Sequence, residues 1–577
     1  MGNRWAWGIA AMFLLSGCLG ATLSDVRKGQ LLSIPEVPDP AIAGPLAIDS
    51  LDYDLGQMSV TDPGRPQVPF PSHVIGNVFF PTEGAAPFPV ILFLHGRHST
   101  CGFTPTRAET LGPVICPNTP VTYSVDSYTG YDYISANLAS HGYVVISASA
   151  NNVNDLDNNY ADRGALARSQ IIAHTLDEFQ RFNASEGPEP VGARLVGKLD
   201  YATIGIMGHS RGGEGVNRAV SYLKERTDGP HHNVVAVFSL APIDFNRLAV
   251  SDVAWLTLLP YCDGDVSDLS GQRVYDRSLY VAETLPRPKI QILALGSNHN
   301  YYNTVWTGDD GGSWQQDQNC GPADGPATFD GWKRLSPEDQ RRHGLVYIAG
   351  FFRAYLGNEP GFTRLFSPLT SPPASACPLE QPSCRGMIHV SYHAPQAERV
   401  LVEDAAGPET LTQNDQGGIN SFTGFTNLTV CKPADCPDRP NHAAASLLQL
   451  GWDAPGARAT FELPSGGLDA SSLDVISFRV ALGTDDERNS RDALQDFHVV
   501  LFDDAGNSQH VRVSAVSPAL FPPPGDESRK LSLNTAAIPL SEFSGIDLSR
   551  LVRVELVFDV TSSGDLYVAD LQFQQIP

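Results

Sequence analysis

The 577 residues carry 39 Lys and Arg against 64 Asp and Glu, a formal charge of −25, with 42% hydrophobic residues. An acidic excess this large repels anionic polymers and excludes nucleic-acid binding by phosphate neutralisation. The length exceeds what one core usually serves and predicts two domains.

Residues 1–18 read as a leader: Arg4 as an early positive charge, an apolar core from Trp5 to Leu15, then Leu15-Ser16-Gly17-Cys18. Such a segment is processed rather than folded. It resembles a bacterial lipobox, which implies that Cys18 becomes a lipidated N-terminus, anchored to a membrane without spanning it. An ordinary secretory signal is the alternative. Leu19 after the cysteine implies, by the same resemblance, the outer membrane of a bacterial cell envelope. Nothing beyond the first twenty residues is long and apolar enough to span a bilayer. Eight further cysteines in an exported chain predict disulfides, most simply between sequence neighbours: 101–116, 262–320, 377–384 and 431–436. Their irregular spacing, without a Cys-x-x-Cys pair, argues against zinc.

Residues 19–69 are rich in Pro, Asp and Gly and read as a tether with a few irregular strands. A strand over Val74–Pro81 follows, then Phe88–Leu94, apolar on both faces as a central parallel strand must be. It runs into His95-Gly96-Arg97-His98. His95 and His98 suit hydrogen bonding better than metal ligation. A helix over Tyr131–Ser140 stops at Gly142, and Tyr143–Ala148 is the next buried strand. Asn151–Asp155 reads as a polar loop near the site, and Arg163–Phe182 as a helix. Alternation of this kind predicts a mostly parallel sheet flanked by helices.

Tyr201–Val220 organises the rest. An apolar strand with Ile204, Ile206 and Met207 breaks into Gly208-His209-Ser210-Arg211-Gly212-Gly213 and resumes at helical spacing. Small-x-Ser-x-small between strand and helix is the pattern of a nucleophile elbow. Glycines at 208 and 212 spare the strained turn from side-chain collisions. The Arg211 amide at the helix start and the Gly96–Arg97 peptide are the candidate oxyanion donors. His209 beside the serine reads as a support of the turn.

Downstream strands Val234–Leu240, Trp255–Pro260 and Lys289–Leu295 end in Ala241-Pro242-Ile243-Asp244, Tyr261-Cys262-Asp263-Gly264-Asp265 and Gly296-Ser297-Asn298-His299. Ser210, an acid and His299 thus follow the chain order Ser…Asp…His. Ser210 would be the nucleophile and His299 its base, with Asp265 orienting the imidazole. Asp263 and Asp268 are the rival acids. Glu214, just past the elbow, is expected to pair with Arg97 or Arg211. A helix over Pro337–Leu356 closes the unit.

With LFLHGR (92–97), GHSRGG (208–213), LTLLPYCDGD (256–265) and GSNH (296–299), residues 70–366 resemble the α/β-hydrolase superfamily. The likeness lies on its dienelactone-hydrolase, platelet-activating-factor acetylhydrolase and polyester-cutinase side. It implies a carboxylic-ester hydrolase with no metal cofactor. It also implies a disulfide from Cys262 toward the histidine loop, with Cys320 its nearest downstream partner. Arg97 replaces the usual aromatic oxyanion residue, Arg211 the frequent Met, and the insert Tyr301–Trp332 is extra. A peptidase or acyltransferase could use the same triad.

The insert's Asp309, Asp310, Asp317, Asp324 and Asp330 suggest either a calcium loop or solvated acids, without the EF-hand register. Trp306, Trp314 and Trp332 would line the cleft or pin the insert. After a linker at 367–386, residues 387–577 carry short strands without helices, Ile388–Tyr392 first, and predict an antiparallel β-sandwich. Within it, the segment from Ile538-Pro539-Leu540-Ser541 through Asp570-Leu571-Gln572-Phe573 resembles jelly-roll, galactose-binding-like modules found as carbohydrate-binding appendages. The likeness implies either glycan contact or a structural spacer, and leaves a surface-binding lipoprotein with an inactive hydrolase unit as the contrasting reading.

Overall fold

The computed structural model describes residues 37–112, 116–117, 119–281, 285–310, 320, 334–381, 383–432, 444–483, 486–489, 494–523 and 530–577. The leader with Cys18, Cys436 with its expected pairing, and Trp314, Asp317, Asp324, Asp330 and Trp332 of the insert lie outside those residues.

A nine-stranded mixed sheet forms the first unit. Its strands are β1 (Ile48–Val60), β2 (Phe70–Pro81), β3 (Phe88–Leu94), β4 (Val144–Ala148), β5 (Leu199–His209), β6 (Val234–Leu240), β7 (Ala254–Pro260), β8 (Lys289–Ala294) and β9 (Ile388–His393), in the order β1-β2-β4-β3-β5-β6-β7-β8-β9. The six strands from β4 to β8 run parallel, while β1, β2 and β9 are antiparallel to their neighbours. Alternate residues of β3 supply two different cores. Ile91 and Phe93 pack with Ile134, Leu138, Ile348 and Phe352. Val90, Leu92 and Leu94 pack with Ile171, Leu176, Val216 and Leu223. Helices Asp132–Ser140 and Pro337–Tyr355 therefore cover one face, and Ala165–Ala184 and Arg211–Glu225 the other, which is why the central strands are apolar throughout. Among the described residues, no helix is long and apolar enough to cross a membrane.

Three expectations need correction here. The supposed tether contains the 13-residue strand β1, which pairs with β2 over Ile48–Asp54 and Gln57–Val60 around a bulge. Asn151–Leu156 is a short helix rather than a loop. Ile388–His393, expected to open the second domain, instead pairs antiparallel with β8. Its alternation was legible, but each face has a different owner. Ile388, Val390 and Tyr392 join the first core. On the other face, the Ser391 hydroxyl accepts from the Thr535 amide at 3.2 Å and His389 stacks on Phe521.

The rest forms two antiparallel sheets. One follows the order Asn427–Cys431, Leu447–Trp452, Gly564–Gln574, Val475–Leu482, Asn534–Pro539, with Arg399–Glu403 also on the long strand Gly564–Gln574. The other runs Asn420–Thr423, Ala457–Glu462, Leu551–Phe558, His498–Asp503, Ser508–Arg512. Phe461, Phe478, Phe497, Phe558 and Phe573 fill the single core between them. Cysteine pairs 101–116, 262–320 and 377–384 stand at disulfide separation, with Cα atoms 5.7, 5.7 and 5.5 Å apart.

The two units share a buried polar seam. Arg479 of the second unit reaches Asp276 of the first at 2.5 Å and also pairs with Asp570, which the Tyr280 hydroxyl meets at 2.5 Å. Asp276 further accepts the Ala444 amide at 2.8 Å. Removing one partner of a buried ion cluster strands the others without solvent. Arg479→Met is therefore expected to cost about 3–5 kcal/mol, read from the shift in a chemical-denaturation midpoint.

Candidate functional site

The site lies where the parallel strands end. β5 leads directly into helix Arg211–Glu225, and Ser210 between them has φ 58° and ψ −123°. A non-glycine residue is held there only when its surroundings over-determine the turn. The Ser210 amide donates to Leu240 O at 2.9 Å, and Ser210 O accepts from the Gly213 amide at 2.9 Å. Side chains at 208 or 212 would collide with backbone: a Cβ on Gly208 overlaps the Gly212 carbonyl, and one on Gly212 falls 2.5 Å from Leu94 O. Gly96 comes equally close, since a Cβ there would stand 2.5 Å from Ser210 Cβ.

That approach sets the Gly96–Arg97 peptide beside the serine, and buried partners orient it. Gly96 O accepts from His95 Nδ1 at 2.8 Å and Asn154 Nδ2 at 3.0 Å, while His95 Nε2 accepts the Ala150 amide at 2.8 Å. Burial keeps His95 neutral, its pKa lowered to about 3. Across a trans peptide N–H and C=O point in opposite directions, so anchoring the carbonyl aims the Arg97 amide the other way. Among the described residues, neither that amide nor the Arg211 amide has an acceptor.

Both arginine side chains bind one carboxylate. Asp157, fully buried, meets Arg97 Nε at 3.1 Å, Arg211 Nη1 at 2.7 Å and Arg168 Nη2 at 2.7 Å. Arg168 also donates to Asn154 Oδ1 at 2.7 Å, which links this cluster back to Gly96 O. The expected pairing of Glu214 with these arginines is not made. Glu214 accepts the Asn246 amide at 2.7 Å, and burial raises its pKa to about 7. Asp157 took the role because the helix Asn151–Leu156 delivers it under both arginines.

His299 follows β8 and is buried. Its Nδ1 lies 2.8 Å from Asp263 Oδ2, and Asp263 is equally buried. The expectation that Asp265 orients the ring is corrected. Asp265 is 64% exposed and stands 3.6 Å from Nε2, on the opposite side of the imidazole. The reason is the chain beyond β7. The Tyr261 and Cys262 amides donate to Ala294 O at 3.0 Å and Ser297 O at 2.8 Å, so the strand pairing continues two residues further. Asp263 is then the first residue free to turn inward. Its Oδ1 accepts the Asp265 and Val266 amides at 2.9 and 2.6 Å, closing an Asx-type turn that sends 265 outward. Asp268, the other rival, pairs with Arg273.

Two loops are tied around this pair. Asp310 Oδ2 accepts the Gly264 amide at 2.8 Å and the His299 amide at 3.3 Å, and its Oδ1 accepts the Asn300 amide at 3.1 Å. Asp309 accepts from Asn298 Nδ2 at 3.0 Å and pairs with Arg334. These two acids of the insert thus bind amides and an arginine. Trp306 is buried and packs against His209, His299 and His98, with ring centroids 4.7, 6.3 and 5.1 Å away. His209 receives the Tyr131 hydroxyl at 3.0 Å and lies 4.8 Å from the His299 ring. Among the described residues, His299 Nε2 has no hydrogen-bond partner, while Ser210 Cβ and the Trp306 ring both close on Gly96, and Trp306 stacks on the His299 ring.

Compared with models of known protein families and with curated proteins, the chain matches none.

Burial pulls the His299 pKa down, but the Asp263 charge and hydrogen bond, with Asp265 and Asp310 behind them, drive it up to about 10. Asp265→Asn removes one of these charges, at an exposed position where solvent screens it. The imidazole is expected to lose its proton about half a unit to one unit lower in pH in that variant, followed as the His299 Cε1–H shift in an NMR titration.

Proposed function

We propose that this chain is a serine hydrolase of the α/β-hydrolase type that cleaves carboxylic esters through an acyl-enzyme. The observation that carries the reading is one juxtaposition. A serine on a positive-φ strand–helix turn shares a buried wall with an unbonded Nε2, whose opposite ring nitrogen is held by a buried carboxylate. Ser210 Oγ would attack the carbonyl carbon as His299 Nε2 takes its proton, and Asp263 stabilises the imidazolium. Free enzymes commonly hold this bond loosely and tighten it with substrate present. The Arg97 and Arg211 amides would receive the oxyanion. On collapse the ester C–O bond breaks and His299 returns the proton to the leaving alcohol. Water, deprotonated by the same nitrogen, then attacks the acyl carbon; the acyl–Oγ bond breaks, His299 returns that proton to Ser210 Oγ, and the acid leaves. His299 must lose its proton to start, so the raised pKa places optimal turnover on the alkaline side.

The proposal extends to the cell envelope through the lipobox-like leader, with Cys18 the lipidated residue. A fluorophosphonate probe is expected to label Ser210, and Ser210→Ala to lower turnover of a short p-nitrophenyl ester by several decades, roughly up to a millionfold. An unlabelled, inactive protein would leave the surface-binding reading in its place. Asn154→Ala removes a donor from the carbonyl of the oxyanion peptide. The variant is expected to lose about 10- to 100-fold in kcat with KM little changed, since the lost alignment acts on the transition state.

A further inference from the structure

Lys530 belongs to the second unit, yet its ammonium lies in the loop that carries Asp263. It is 8% exposed, and Nζ donates to Tyr261 O at 2.8 Å and to Asp263 O at 2.7 Å. A buried ammonium is costly unless its protons meet acceptors, and two carbonyls at charge-assisted distance supply them. The segment carrying it is docked on the first sheet: Gln291 Nε2 donates to Ser532 Oγ at 3.2 Å and to Leu533 O at 3.4 Å. The ammonium bridges carbonyls on either side of Cys262, whose sulfur is fixed by Cys320.

We infer that Lys530 is a positioning residue for the proposed reaction: the second unit completes the site by holding the main chain of Asp263, and so the carboxylate that orients His299. The inference rests on the serine-hydrolase reading. The first unit restrains this turn through the amide bonds of residues 261 and 262, the capping of Asp263 Oδ1, Asp310 on Gly264 and the Cys262–Cys320 pair. None of them holds the Asp263 carbonyl. Without Lys530 the Asp263 carbonyl would be buried with that bond unmade, and the turn would shift to recover it. A displacement of about 1 Å at a reacting group costs on the order of a hundredfold in rate.

The test uses the full chain and a double-mutant cycle. Lys530→Met is expected to lower kcat on a p-nitrophenyl ester about 10- to 100-fold with KM within about twofold. In an Asp263→Asn background the same replacement should change kcat by less than about twofold, because the group it acts through is already gone. The downfield proton resonance of His299 Nδ1–H should move in Lys530→Met, a readout independent of turnover. Lys530→Gln keeps one donor and takes the place of the methionine variant in the same cycle if that variant does not fold. An unchanged kcat and resonance, or equal losses in both backgrounds, would overturn the inference. Failure of the hydrolase reading looks different: wild-type protein without turnover and without a probe on Ser210 would overturn both.

Discussion

The buried contact between Asp263 and His299 is the constraint around which the site is arranged. A carboxylate and an imidazole removed from water need each other, and the remaining lone pairs need donors. Each requirement is met by a different part of the chain. The amides of residues 265 and 266 take Asp263 Oδ1, the strand pairing of β7 and β8 brings the two loops together, and Asp310 binds amides from both. The strained Ser210 turn, by contrast, is set by glycines and main-chain bonds close to it in sequence.

A second buried cluster answers to a different demand. Three arginines on Asp157 give the elbow and the Gly96 loop one common anchor, and Asn154 connects that anchor to Gly96 O. The value of such a cluster lies in geometry more than in net stability, since a buried ion network recovers its desolvation cost only when fully bonded. For the proposed oxyanion site geometry is the relevant quantity, because donors must already point where charge develops.

What could be read in the sequence divides along the same line. The Ser210 turn was legible because its strain dictates residue types within five positions, and glycines are visible without knowledge of anything distant. The central strands were legible because burial on both faces leaves an uninterrupted apolar run. The carboxylate against His299 Nδ1 was expected two residues too late, since counting from the end of an apolar run cannot reveal that the main-chain pairing continues through Tyr261 and Cys262. Asp157, Asp310 and Lys530 had no local signature. Lys530 meets its acceptor 267 residues away, and nothing around it separates it from any other lysine in a polar segment. Strand β9 was assigned to the wrong unit because its alternation is real on both faces while the identity of each face's partner is tertiary information.

The placement of β9 bears on how the two units relate. A strand with one face in the first core and the other against the second unit makes the boundary a shared wall rather than a linker. Arg479, Tyr280 and Gln291 continue that wall with buried polar contacts to Asp276, Asp570 and Ser532, all of which would be lost if the units parted. Inter-domain contacts of a mobile appendage are ordinarily small and wet. Here a buried arginine bonded through Nε and Nη1 and a lysine gripping the Asp263 loop make separation costly on both sides of the seam. A second unit built in this way has a reason to be retained that needs no ligand of its own: the first unit's edge strand and its acid turn are finished by residues that lie beyond it in the chain.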